Sequence, residues 1–324
     1  MAPTGEYAGY LYVHFKREAA EGEQIHFALS DGNDPLRFAD LNDGRPVVRS
    51  KVGQRGVRDP HVVRSPVNGR YYMVATDLRL YDSMDWDHHQ RWGSRSIVVW
   101  ESADLIEWGD GRLVEVAPVE AGNTWAPESV WDAAQNAFIV HWSSTLYDDE
   151  RHDGRSYNRI MYATTRDFRE FSKPQVWIDR GWSTIDTTVI EHDGRYYRFL
   201  KDERSRDHLA PQGKSIFCEH SGSLTAAAWT PLAEGIGLDT IRQGEGPLVY
   251  KSNTEEKWFL WIDEFTNERR YVPFETTDLA SGVWTASADH RLPGDPCHGV
   301  VLPVTADEYQ RLSTACFDAK GHRE

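Results

Sequence analysis

Three carboxylates of this sequence stand at the starts of similar, strand-like segments. Asp59 begins the segment DPHVV, Asp186 begins DTTVI, and Glu245 begins EGPLV. Aspartate and glutamate are depleted in strands, and carboxylates that cluster in a pocket of low dielectric repel one another. Each acid alone could be an ordinary turn or cap residue. Their matched places in a repeat instead favour one shared pocket in which acids do chemistry.

Glycoside hydrolysis with inversion of configuration uses two carboxyl groups in one pocket. One carboxylic acid protonates the departing oxygen, and the other carboxylate activates water on the opposite face of the sugar. The two groups stand ~6.5–9.5 Å apart to leave room for that water. A third carboxylate beside the acid keeps it protonated near neutrality through like-charge repulsion.

The elements that must position these acids form an internal repeat. Five aromatic and β-branched segments are typical of strands packed on both faces: 10–15, 71–76, 138–143, 196–201 and 258–263. A second strand-like segment follows each of them: 25–30, 97–102, 160–165, 216–221 and 271–276. After most of these comes a short stretch that ends in an aromatic residue: Phe38, Trp108, Phe171, Trp229 and Trp284.

An earlier strand precedes four of the five units, beginning at Asp59, Ala126, Asp186 and Glu245. Four short strands per ~60 residues, with hardly any helical periodicity, predict an all-β propeller. The N-terminal unit lacks its first strand, and segment 298–304 at the other end of the chain can supply it. A closing blade made from the C-terminal strand plus the N-terminal strands removes an open sheet edge. The sequence therefore predicts a single five-bladed β-propeller domain over residues 1–324.

In a propeller the first strand of each blade lines the central channel, and the strand starts meet at one mouth. Asp59, Asp186 and Glu245 are therefore expected to converge there, together with His298 at the start of the closing strand.

The motifs resemble those of glycoside hydrolase family 43. Asp59-Pro60-His61 followed by Gly69-Arg70-Tyr71-Tyr72, the Asp186 segment, and Gly244-Glu245-Gly246-Pro247 occur in that family's order, and Trp125-Ala126-Pro127 is similar to its second-blade motif. The resemblance runs from about Tyr7 to Thr305. It implies that Asp59 is the general base, Asp186 the pKa-modulating and orienting aspartate, and Glu245 the general acid. About fifty residues precede Asp59, more than is usual in the family, which leaves the subfamily and substrate open.

Four further residues are candidates for substrate binding: Trp125, Glu128, Asp77 and His298. Trp125 could stack on a sugar or belong to the core, and Glu128 is expected to support the pocket or contact substrate. Asp77 could bind a sugar hydroxyl or end its strand in a turn. In many family members a histidine at the place of His298 binds a central water or calcium ion, but one histidine is a poor ligand set for calcium, which prefers ~6–8 oxygens. No cofactor is expected to be required, and a water-held ion near His298 is possible.

The composition of the chain disfavours some classes of binding partner. A net charge of −15 in 324 residues disfavours nucleic acid and anionic membranes, which need basic patches, and suits a neutral substrate without naming one. No apolar run approaches the ~20 residues of a membrane span. Cys218, Cys297 and Cys316 are far apart and are expected to be reduced thiols. Residues 1–5 lack the pattern of a signal peptide, so the protein is expected to be cytoplasmic, or secreted after loss of a leader.

Together these features predict an exo-acting, inverting glycoside hydrolase. The resemblance implies release of terminal furanosyl residues, with α-L-arabinofuranose as the commonest substrate of the family, from arabinose-containing oligo- or polysaccharides. β-Xylosidase or β-galactofuranosidase activity stays open, as does a non-catalytic glycan-binding propeller. An invertase-like retaining enzyme is disfavoured because its Asn-Asp-Pro-Asn signature is absent and Cys218-Glu219 reverses its Glu-Cys order.

Overall fold

Five four-stranded antiparallel sheets surround a central axis in the computed structural model, which describes residues 6–266 and 270–317. Residues 1–5, on which the expectation about a leader depends, lie outside the described part. The strands in chain order are β1 (Tyr7–His14), β2 (His26–Ser30), β3 (Phe38–Asp40), β4 (Val57–Arg64), β5 (Tyr71–Asp77), β6 (Ser96–Ser102), β7 (Arg112–Glu115), β8 (Trp125–Asp132), β9 (Ala137–Thr145), β10 (Asn158–Thr165), β11 (Gln175–Ile178), β12 (Thr184–His192), β13 (Arg195–Asp202), β14 (Ser215–Ser221), β15 (Thr230–Ile236), β16 (Glu245–Lys251), β17 (Trp258–Glu264), β18 (Arg270–Thr276), β19 (Thr285–Ala286) and β20 (Gly299–Thr305). Two short α-helices, α1 (Trp86–Arg91) and α2 (Ala306–Thr314), complete the regular structure described here.

Each blade follows the repeat seen in the sequence. Blade 1 is β4–β7, blade 2 is β8–β11, blade 3 is β12–β15 and blade 4 is β16–β19. Every predicted aromatic segment is the second strand of its sheet. Its side chains are buried on both faces there, as in β5, where all seven residues are buried. The prediction of a five-bladed propeller is confirmed.

The closing blade has the order β20-β1-β2-β3. Tyr10 pairs with Pro303, and Val13 pairs with Val300. This order agrees with the composite blade expected from the missing N-terminal strand. Helix α2 follows β20 directly, and a capping box between Thr305 and Glu308 marks its start.

The core lies between neighbouring blades. Trp142 of blade 2 packs in one cluster with Val99 of blade 1, and Trp261 of blade 4 packs with Tyr12 of the closing blade. Both tryptophans are 0% exposed. Burial of a large apolar side chain contributes about 1.5–3 kcal/mol, so these interfaces hold the blades in a fixed arrangement around the axis. Buried aromatic residues thus contribute to the interfaces between neighbouring blades.

A β-bulge interrupts the first strand of each of blades 1 to 4 near its start. The pairing shifts between Arg58 and His61 in β4, and equivalent shifts occur in β8, β12 and β16. The residues at the bulge have positive φ angles: Asp59 (50°), Ala126 (47°), Asp186 (52°) and Gly246 (51°). A proline follows three of them, which suits a place where the ladder of hydrogen bonds is already broken.

The bulges correct one expectation about register. Asp59 and Asp186 occupy equivalent positions, but Glu245 does not, because Gly246 takes the bulge position in β16. Glu245 is instead equivalent to Arg58 and Trp125, the residues that precede the bulge in β4 and β8. The three acids are at the starts of their strands, but Glu245 lies one residue before the bulge, whereas the two aspartates lie in the bulge.

No helix in residues 6–266 and 270–317 is long and apolar enough to cross a membrane.

Candidate active site

Asp186 lies at the centre of the predicted carboxylate group. Its residue is 9% exposed, and one carboxylate oxygen, Oδ2, accepts a hydrogen bond of 3.0 Å from the backbone N–H of Gly246. Burial raises the pKa of Asp186, the positive charges of His298 and Lys201 lower it, and the negative charges of Glu245 and Asp59 raise it, so that the pKa lies at about 6. The charges of both other acids, which come from blades 1 and 4, thus act on the pKa of Asp186.

Asp59 is held as a carboxylate. Thr76 Oγ1 donates a hydrogen bond of 2.9 Å to Asp59 Oδ2, and His298 Nδ1 lies 3.5 Å from Oδ1. Burial alone would raise the pKa of Asp59, but His298, Arg58 and Thr76 outweigh it and lower the pKa below its ordinary value. A group that must accept a proton from water needs to be ionised at the working pH.

His298 joins two carboxylates at the axis. Its Nδ1 faces Asp59, and its Nε2 lies 3.8 Å from Glu128 Oε1. The other oxygen of Glu128 lies 3.5 Å from His61 Nε2. Burial would lower the pKa of His298, but Asp59 and Glu128 hold it well above its ordinary value. The result is a buried chain of alternating charge, with an imidazolium between two carboxylates.

Glu245 is the most exposed of the three acids, with 29% of its side chain accessible. Lys201 Nζ donates a hydrogen bond of 2.7 Å to Glu245 Oε2 and lies 2.7 Å from Glu203 Oε2. Burial would lower the pKa of Lys201, but Glu245, Glu203 and Asp186 raise it. Lys201 therefore stays charged although only 3% of its side chain is exposed, and it orients Glu245 at the mouth.

Gly246 explains the Glu-Gly-Pro sequence in physical terms. A Cβ at this position would come within 2.9 Å of the His298 ring and 3.0 Å of the Tyr271 hydroxyl, and its φ of +51° disfavours other residues. The glycine lets the backbone beside Glu245 approach the axis closely enough to donate to Asp186.

Neighbouring blades are joined at the bulges by side-chain hydroxyls. Thr76 of blade 1 accepts a hydrogen bond of 2.8 Å from the backbone N–H of Ala126 in blade 2. Ser143 of blade 2 accepts one of 3.2 Å from the backbone N–H of Asp186 in blade 3. Thr76 thus connects the start of β8 to the carboxylate of Asp59, which fixes the acids relative to one another.

Trp125 borders the mouth and is partly exposed. Its ring packs edge-to-face against Trp86, with centroids 5.9 Å apart. Arg58, which precedes Asp59, lies 5.3 Å from the Trp86 ring and forms a buried ion pair of 3.0 Å with Glu23. Trp125 is therefore placed where a sugar could contact it.

The other candidates lie in different surroundings. Glu128 is 4% exposed and faces two histidines, so it supports the pocket from below. Asp77 is also 4% exposed, and its carboxylate accepts a hydrogen bond of 2.7 Å from the backbone N–H of Gln54. Asp77 thus holds the loop before β4, which agrees with the interpretation of a strand-end structural residue.

The residues near His298 do not fit a directly coordinated cation. Both ring nitrogens of His298 face carboxylates, and a protonated imidazole has no lone pair to offer a metal. Within the described ranges, no group of three or more His, Cys, Asp or Glu residues is arranged to hold a metal ion. Calcium held through water near His298 stays a prediction from the resemblance.

Several residues of the site were not identified from the sequence. Lys201 lies near the end of an aromatic strand, in a run of buried residues (197–202), and a lysine at such a position is a signal of a buried ion pair. Arg58 gives a similar signal beside Asp59. Thr76, His61 and Trp86 carry no such signal, because their roles depend on contacts between distant segments.

Comparison with known proteins gives the same family as the motifs. A family model described as "Probable glycosyl hydrolase domain", of a type related to glycoside hydrolase family 43, matches residues 5–310. An α-L-arabinofuranosidase of Bifidobacterium longum subsp. longum is 35% identical over 320 residues, which span 88% of this chain and 29% of that protein. The chain thus spans less than a third of the length of this curated relative.

Solved structures share the fold at low sequence identity. A thermostable family-43 glycoside hydrolase has a TM-score of 0.52 at 19% identity, with 75% of this chain and 76% of that chain covered. The catalytic domain of a GH62 α-L-arabinofuranosidase of Coprinopsis cinerea has a TM-score of 0.51 at 16% identity, with 78% and 74% covered. A GH43 β-1,3-galactosidase has a TM-score of 0.59 at 13% identity, with 87% and 56% covered. Because the family model matches nearly the whole chain, this chain belongs to the family of glycosyl hydrolase domains related to glycoside hydrolase family 43.

Proposed function

We propose that the chain is an exo-acting, inverting hydrolase of terminal α-L-arabinofuranosyl groups. The observation that carries this proposal is the convergence of acids from three blades, with Asp186 close enough to feel the charges of both Asp59 and Glu245. The substrate class is proposed from the 35% identity to an α-L-arabinofuranosidase.

Asp59 is the general base in this mechanism. Its lowered pKa keeps it ionised, and Thr76 and His298 hold its carboxylate in place. It accepts a proton from a water molecule as the oxygen of that water attacks the anomeric carbon. His298 also faces Glu128 on its other side, so that it stays in place beside Asp59 when Asp59 gains the proton.

Glu245 is the general acid. As the most exposed of the three, it can reach a leaving oxygen at the mouth of the pocket. It gives its proton to that oxygen while the bond to the anomeric carbon breaks. Asp186, the pKa-modulating aspartate that the resemblance implies, lies near enough for the charge of Glu245 to act on it. Lys201 donates a hydrogen bond to Glu245 and orients its side chain.

The proposal is tested with a panel of aryl furanosides and pyranosides. We expect turnover of 4-nitrophenyl α-L-arabinofuranoside and a β-configured sugar as the first product in an NMR time course. Retained configuration would contradict inversion, and preference for a β-xyloside or β-galactofuranoside would contradict the sugar. Absence of turnover across the panel would indicate a glycan-binding propeller.

Two variants assign the acids. Glu245→Gln should lose most activity on substrates with poor leaving groups and much less on an activated aryl glycoside, which needs little protonation. Asp59→Asn should slow all substrates alike, because each still needs activated water. Acid–base assistance contributes ~10²–10⁴-fold, so both losses are measurable. Equal losses of Glu245→Gln on good and poor leaving groups would contradict the assignment and make Glu128 the next residue to test.

A further inference from the structure

Trp86 is an exposed aromatic residue at the rim of the pocket. It begins helix α1 in the connection between β5 and β6, and 42% of the residue is exposed. Large apolar side chains that stay exposed beside a cleft are typical of binding surfaces. The mechanism proposed above makes no use of it.

The contacts of Trp86 place it next to the catalytic residues. Its ring meets Trp125 at an interplanar angle of 82°, and the guanidinium of Arg58 lies 5.3 Å from the ring centroid. Arg58 directly precedes Asp59, and Trp125 directly precedes Ala126, the two bulge residues of blades 1 and 2. The exposed part of the Trp86 ring is therefore continuous with the mouth at which Asp59 is held.

The segment that carries Trp86 is tied down at both ends. On one side, the buried carboxylate of Glu23 accepts a hydrogen bond of 2.8 Å from the backbone N–H of Leu80. On the other, Thr145 Oγ1 donates one of 2.8 Å to the carbonyl of Gln90. The side chain of Asp85 caps the helix by accepting from the backbone N–H of His88 at 3.0 Å. A ring held this firmly loses little freedom when a ligand covers it.

We propose that Trp86 is a stacking site for a sugar ring of the oligosaccharide that carries the terminal furanosyl group; this rests on the proposed function. The C–H face of a neutral sugar matches an exposed indole, and the neighbouring carboxylates of Asp85 and Asp87 can accept hydrogen bonds from sugar hydroxyls. These acids and the net charge of −15 disfavour an anionic membrane as the occupant. The ring thus extends substrate recognition beyond the sugar that is cleaved off.

Trp92 provides a matched control on the same segment. It is 48% exposed, but its ring stacks on His152 at 4.6 Å, in the connection between β9 and β10, and it follows the other end of α1. Trp86→Ala and Trp92→Ala therefore remove equally exposed rings, of which only the first contacts the mouth. Trp86→Leu keeps apolar bulk against Trp125 but removes the flat ring.

The experiment compares kcat/KM on methyl α-L-arabinofuranoside with kcat/KM on an oligosaccharide that ends in the same group. For Trp86→Ala and Trp86→Leu we expect the loss on the oligosaccharide to exceed the loss on the methyl glycoside by about 3- to 10-fold. Trp92→Ala should behave as the wild type on both substrates, and thermal unfolding checks that each variant folds. Equal losses on the two substrates, no loss, or the same selective loss in Trp92→Ala would each overturn the stacking site.

Failure of the proposed function is distinguishable from failure of the stacking site. If the wild type hydrolyses neither substrate, the proposed activity is wrong, and the stacking site is then measured by calorimetric titration of the oligosaccharide. Weaker binding by Trp86→Leu than by the wild type would support it. Unchanged affinity, or no binding by the wild type, would overturn it.

Discussion

Replacement of Asp186 by asparagine should stabilise the protein at neutral pH while it impairs the proposed catalysis. The buried carboxyl has its pKa raised from 3.8 to about 6, mainly by burial. Its folded-state pKa lies above its unfolded-state value, so the folded protein binds this proton more tightly. Below pH ~3 the carboxyl is protonated in both states and costs nothing. Above pH ~6 it is ionised in both states, and ionisation of the buried group counts against folding.

The magnitude follows from the shift. A difference of about 2 units at about 1.36 kcal/mol per unit gives about 3 kcal/mol. The free energy of unfolding of the wild type, relative to Asp186→Asn, should therefore fall by about 3 kcal/mol between pH 3 and pH 7, with most of the fall above pH 4. The amide oxygen of the variant can still accept the hydrogen bond from Gly246, so that contact is retained.

Urea unfolding at a series of pH values measures this difference, with tryptophan fluorescence as the signal. Asp193→Asn is the matched control, because it makes the same change at an exposed turn residue after the same strand. It should show no comparable pH-dependent gain. A difference between Asp186→Asn and the wild type that does not change from pH 4 to pH 7 would refute the reasoning.

Two further changes have expected outcomes. Lys201→Met removes the cation between Glu245 and Glu203, so it should destabilise the protein by about 3–5 kcal/mol in urea unfolding at pH 7; an unchanged free energy of unfolding would contradict the role of these ion pairs. Glu308→Gln breaks the 2.6 Å ion pair with Arg64 and the bond from Tyr71, and should cost about 1.5–3 kcal/mol at pH 7. Burial raises the pKa of Glu308, but Tyr71, Thr305 and Arg64 outweigh burial and lower the pKa. The stability that Glu308 contributes is therefore present above the ordinary pKa of 4.5 and is lost as the pH falls below that value. A destabilisation by Glu308→Gln that is as large at pH 3 as at pH 7 would contradict this prediction.

The opposite signs at Asp186 and Glu308 have one physical basis. Burial raises the pKa of both carboxyls, but at Glu308 a tyrosine hydroxyl, a backbone N–H and an arginine outweigh it. At Asp186, His298 and Lys201 do not outweigh burial, and two other acids add to it. A structural carboxylate is surrounded by donors. A carboxylate that stays costly to ionise is typical of functional sites.

The blades could be predicted from the sequence because their signals are local. The segments around Tyr72, Ile139 and Trp261 are aromatic and β-branched over a strand's length, and turn residues such as Asn68-Gly69 separate them. Strand formation depends on burial of both faces, which residue types alone indicate. The motifs around Asp59, Asp186 and Glu245 likewise predicted which acids would meet, since propeller geometry brings all first strands to one mouth.

Tertiary structure alone decided how these acids relate to one another. Glu245 precedes the bulge of its strand, whereas Asp59 lies in the bulge of its own strand, and the places of these bulges depend on strand pairing. The pairing of Lys201 with Glu245, of His298 with Asp59, and of Trp86 with Trp125 joins segments from 39 to 239 residues apart. Such contacts form only when the blades close into a ring, because closure brings charges and rings of distant segments into a shared, poorly solvated space.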